Sequence, residues 1–119
     1  TNAEGREALY TSIASDLALV DPGCTIAATE IGAIGYHYPG RVLDLVGLVS
    51  PEVVGRPVDD VLAESHPRWL VTYDTHFDRA VVNGKPFSAM FERRSAFPVT
   101  VSRTLEVYER RDRSRCGPQ

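Results

Sequence analysis

Between Glu30 and Ser50 the chain reads Glu-Ile-Gly-Ala-Ile-Gly-Tyr-His-Tyr-Pro-Gly-Arg-Val-Leu-Asp-Leu-Val-Gly-Leu-Val-Ser, and no other stretch constrains the fold as strongly. Two glycines interrupt a short apolar run, a Pro-Gly turn follows, and Asp44 stands alone in an apolar segment, where a carboxylate is expensive to bury unless hydrogen bonds meet it. Just before it, Cys-Thr-Ile-Ala-Ala-Thr (24–29) reads as a buried central strand of the kind covered on both faces. One or two helical turns are expected over 31–37, with Gly32 and Gly35 allowing close approach of a neighbouring backbone. A second strand is expected over 41–45. Strand, short helix and strand follow in the order of a βαβ crossover, which is right-handed in nearly all cases. The link is short beside the dozen or more residues such crossovers generally take, and this weighs against parallel pairing of the two strands.

The flanking segments complete an α/β pattern. Leu9, Ile13, Leu17 and Val20 fall at helical spacing, which predicts an amphipathic helix over 4–20 that Asp21-Pro22-Gly23 stops. Ser50-Pro51 resembles a helix start, with serine as cap and proline in the first turn. Val58, Val61 and Leu62 form one stripe of a helix over 57–64, which Pro67 closes. Arg-Trp-Leu-Val-Thr-Tyr (68–73) is aromatic and β-branched and is expected beside the first two strands. A helical turn over 78–82, an Asn83-Gly84 turn and two alternating segments, 90–97 and 105–110, predict an antiparallel pair at one sheet edge. The expected fold is a single small three-layer α/β domain over 1–109, its mixed, mostly parallel sheet carrying that edge pair. The polar segment 110–119 reads as a disordered tail.

Length and charge narrow the classes. A chain of 119 residues fits one domain with one core. A net charge of -3 argues against nucleic acid as a partner, because phosphate binding needs a coherent basic surface. No apolar run approaches the roughly 18 residues of a membrane-spanning helix. The sequence opens on Thr1, as an excised piece of a longer protein would. Of the two cysteines, Cys24 reads as a buried strand thiol and Cys116 as a free thiol in the tail; a disulfide between them is the alternative and needs an oxidising compartment.

Candidate chemistry lies where parallel strands end, since ligands of open α/β sheets bind at their carboxyl ends. Glu30, Asp74 and His76 follow two such ends, and carboxylates with an imidazole suit a divalent metal or acid–base work. The plainer reading is that Glu30 gains from a helix dipole, Asp74 caps the next segment and His76 is a loop residue. Asp44 either ties down nearby backbone N–H groups or faces a polar ligand. His37, between Tyr36 and Tyr38, either completes an aromatic sugar-facing surface or belongs to a packing patch. Gly32-Ala-Ile-Gly35 has the spacing of neither dinucleotide nor phosphate loops, so no nucleotide cofactor is expected, and no nucleophile motif is present.

Glu30-Ile-Gly-Ala-Ile-Gly-Tyr36, Arg41-Val-Leu-Asp-Leu-Val-Gly-Leu-Val-Ser-Pro-Glu52 and Pro67-Arg-Trp-Leu-Val-Thr-Tyr73 together resemble the soluble C-terminal domain of bacterial polytopic membrane glycosyltransferases of the GT-C, mannosyltransferase-like type. The resemblance covers 24–73. It implies a domain on the extracytoplasmic face of the cytoplasmic membrane, attached to the membrane-embedded part of the same chain, near a glycan or lipid-linked sugar. The catalytic carboxylate of such enzymes lies in a loop with no counterpart here, so no catalytic residue carries over. Glu30, Gly32, Gly35, Asp44, Gly47 and Leu48 match in structural roles. The alternative is a free-standing ligand-binding domain or metal-dependent enzyme using Glu30, Asp44, Asp74 and His76.

Overall fold

In the computed structural model the described residues are 2–20, 23–29, 32–45, 55–73 and 82–112; of these, the side chains of residues 2–7, 20, 32, 33 and 36 are not described. The chain order is α1 (Asn2–Val20), β1 (Ile26–Ala28), α2 (Gly32–His37), β2 (Val42–Asp44), α3 (Val58–Ser65), β3 (Trp69–Tyr73), α4 (Lys85–Met90), β4 (Phe91–Thr100) and β5 (Arg103–Arg110). The expected small α/β domain is the one observed.

Five strands form one mixed sheet in the order β2-β1-β3-β5-β4. β1 lies between two parallel neighbours, with Ala27 opposite both Leu43 and Leu70. The short β1–β2 connection therefore does allow parallel pairing: a six-residue helix is enough to span between strands of three residues each. β5 runs antiparallel to both β3 and β4, which puts the hairpin at the sheet edge as expected. Four of the five strands thus point the same way.

Strand alternation divides the core in two. Ile26, Ala28, Val71, Tyr73, Leu105 and Val107 face α1 and α2, where they meet Tyr10, Ile13, Ala14, Leu17 and Ile34. Ala27, Leu43, Leu70 and Tyr108 face the other layer, where Val61, Leu62, Phe87 and Phe91 close over them. Most of a helix's stability in a protein comes from packing one face on its neighbours rather than from propensity. Burial of Ile13 and Leu17, each worth about 1.5–3 kcal/mol, holds α1 on the sheet.

Local chemistry ends the helices. α3 stops at His66, whose φ of 56° is the left-handed C-cap conformation and whose N–H bonds the Leu62 carbonyl. Pro67, which cannot continue a helix, follows. α4 departs from the expected turn and strand start at Met90: Gly84 is extended, Pro86 sits in the first turn, and a helix runs straight into β4. The hairpin is longer than the alternating segments suggested. β4 reaches Thr100 through two register irregularities and holds Pro98, which an edge strand tolerates. The close approach expected at Gly35 is absent, because a Cβ there would meet nothing within 4 Å.

Candidate functional site

β1 continues to β2 on one side and neighbours β3 on the other, so the strand order reverses at the carboxyl ends of β1 and β3. This is the switch point at which open α/β sheets form a crevice. Two threonines stand there. Thr29 Oγ1 and Thr72 Oγ1 meet at 3.0 Å, and Thr72 Oγ1 also donates to the Tyr73 carbonyl at 3.2 Å, so Thr29 is the donor in the pair when Thr72 makes that bond. Both residues are buried. Paired hydroxyls satisfy one another where an unmet one would cost about 1–3 kcal/mol.

On the α1 side of the same end, Tyr10 and Tyr73 pack edge to face with centroids 6.2 Å apart. The Arg103 guanidinium lies 4.0 Å from the Tyr73 ring centroid, a cation–π contact one strand further along. Asp44 ends β2 opposite Ala28, is 2% exposed and has an interaction partner within the protein. Its burial with a partner fits the structural reading offered for it.

The other sequence candidates are dispersed. Glu30, Asp74 and His76 lie outside the described residues, as does the Tyr36 side chain, and 113–119 of the expected tail. His37 is exposed at the end of α2 while Tyr38 is buried, its hydroxyl donating to the Cys24 carbonyl. Those two do not share one sugar-facing surface. Cys24 is buried and disulfide-bonded, which overturns the free buried thiol expected at that position. The one other cysteine of the sequence is Cys116, outside the described residues. Among the described residues no group of three His, Cys, Asp or Glu side chains is placed to hold a metal ion.

Sequence reasoning missed the charges inside β5. Glu106, Glu109 and Arg110 are buried because β5 lies between β3 and β4 and both its faces are covered. Glu109 pairs with Arg68 at 3.4 Å and Arg94 at 3.3 Å, and Glu106 accepts from Tyr108 Oη at 2.8 Å and pairs with Arg93 at 3.2 Å. Arg110, which the sequence places both at the end of the expected strand and at the start of the tail, ends β5 and donates from Nε to the Pro67 carbonyl at 2.9 Å and from Nη2 to the Leu62 carbonyl at 2.8 Å. Burial pushes its pKa down and the nearby Asp112 charge partly offsets this. These groups are consumed in holding the hairpin to β3 and α3. Alternation in 105–110 carried no sign of it, since the same pattern describes a half-exposed strand.

The fold and this carboxyl end define a three-layer α/β domain with a neutral hydroxyl pair at its switch point. The chain belongs to the family described as "Domain of unknown function (DUF8728)", whose model matches residues 6–113. No curated protein and no solved structure matches it significantly. No helix among the described residues is long and apolar enough to cross a membrane.

Proposed function

We propose that this chain is a non-catalytic extracytoplasmic domain of a bacterial membrane glycosyltransferase that uses lipid-linked sugar donors, where it positions acceptor or donor or supports the membrane-embedded part. The observation that carries the reading is the disulfide at Cys24, since disulfides persist in oxidising compartments outside the cytoplasm and are rare within it. The resemblance over 24–73 supplies the kind of parent. The internal commitment of Asp44, Thr29 and Thr72 favours a structural role for that stretch over a catalytic one.

The parent reading frame is expected to carry many apolar spans before Thr1. Protease added to intact cells whose outer barrier has been opened is expected to cleave the domain, with a cytoplasmic marker spared. A parent without membrane spans, or a domain protected until the cytoplasmic membrane is lysed, overturns the proposal. The ligand-binding or metal-dependent alternative draws on Glu30, Asp44, Asp74 and His76, of which Asp44 alone lies within the described residues. It requires a thermal shift with divalent metals, nucleotides or sugars, and a flat response removes it.

A further inference from the structure

Away from the carboxyl end, α1 and the hairpin leave a cleft of about 200 Å³ between them. Ile13, Leu17, Trp69, Phe97 and Val107 make its walls apolar, and Asp16, Arg94 and Ser95 supply its polar groups. The charges are not equivalent. Arg94 is neutralised by Glu109 at 3.3 Å and Glu92 at 3.4 Å. Asp16 is exposed and, among the described residues, makes no ion pair or hydrogen bond, which leaves it the one charge of the rim without a described partner.

We propose that this cleft binds a small apolar amine, its hydrocarbon body against Trp69 and Leu17 and its ammonium group at Asp16. Size sets the body. An apolar cavity of about 150 Å³ holds benzene, so this one has room for a single ring or a branched chain of about six to ten non-hydrogen atoms. Charge sets the head: a cation gains at Asp16 and near the indole, whereas a carboxylate meets Asp16 and a guanidinium already occupied. The proposal stands apart from the membrane reading, because it rests on the cleft and the charge of Asp16 and not on the disulfide at Cys24.

Trp69 is the chain's one tryptophan, so its fluorescence reports the cleft directly. Titration of the whole chain with 3-methylbutylamine is expected to shift Trp69 emission saturably at millimolar concentration. 3-Methylbutanol and 3-methylbutyrate, of the same shape without the positive charge, should bind more weakly, and Asp16→Asn should weaken the amine about fivefold, as loss of an exposed ion pair does, while leaving the alcohol unchanged. Asp16 is exposed at the rim, so the variant is expected to fold; its circular dichroism and melting temperature check this. An amine that binds no better than the alcohol, an Asp16→Asn variant that binds the amine equally well, or no saturable shift overturns the proposal.

Discussion

Arg110 Nη2 donates to the Leu62 carbonyl at 2.8 Å across 48 residues of sequence, joining the last strand to the last turn of α3. The same carbonyl accepts the His66 N–H at 3.2 Å, so helix cap and strand end share one acceptor. The Arg110 guanidinium also lies 5.0 Å from the Phe91 ring centroid. Replacement of Arg110 by Lys cannot reproduce two bonds made in a planar fork. Arg110→Lys is expected to lose about 2–3 kcal/mol in urea unfolding, the cost of leaving a buried acceptor short of a charged donor. A loss under half of that would mean the clasp contributes little to stability.

At the switch point, Thr72→Val keeps the shape and removes the hydroxyl that meets Thr29. Denaturant unfolding should show a loss of about 1–2 kcal/mol, because Thr29 is left without its partner hydroxyl in a buried site. Adding Thr29→Val should recover part of that loss, giving a coupling between the two sites. Strictly additive losses would show that the hydroxyls act separately.

In denaturant, Cys24 is expected to be unreactive toward a thiol reagent until the chain is reduced, since its burial alone would shield it in the native state. Reduction should lower the melting temperature, with a loss on the order of 2–4 kcal/mol, as loop-closing disulfides generally give. A denatured chain that labels at Cys24 without reductant would contradict the disulfide and remove the main support for an extracytoplasmic location.

Asp44 separates a structural from a ligand-facing carboxylate through the sign of one measurement. A buried acid held by partners in its own chain loses stability when replaced, by about 1–3 kcal/mol for Asp44→Asn. A carboxylate kept for a ligand is destabilising in the free protein, and its removal raises stability. The structure leads to the first outcome.

Periodicity made α1 legible, since Ile13 and Leu17 do face the core, and the apolar runs at 26–28 and 69–73 announced their strands. It stopped at features that only neighbouring strands create. The meeting of Thr29 and Thr72 depends on β1 and β3 being adjacent, while the acids that follow each of them drew attention in the sequence. Arg110 was legible as a strand end but not as a clasp, because its partners, Pro67 and Leu62, lie far off in the chain. α4 was hidden because Gly84 and Pro86 mark a turn and a helix start equally well.

β5, the last strand among the described residues, lies inside the sheet between β3 and β4. While the chain is being synthesised, β1, β2 and β3 can meet, yet the far edge of β3 stays open and α3 lacks its arginine until residue 110 has emerged. Closure of this sheet therefore waits on residue 110. A chain cut short before Arg110 would keep an open sheet edge beside β3 and an α3 without the guanidinium that bonds its Leu62 carbonyl.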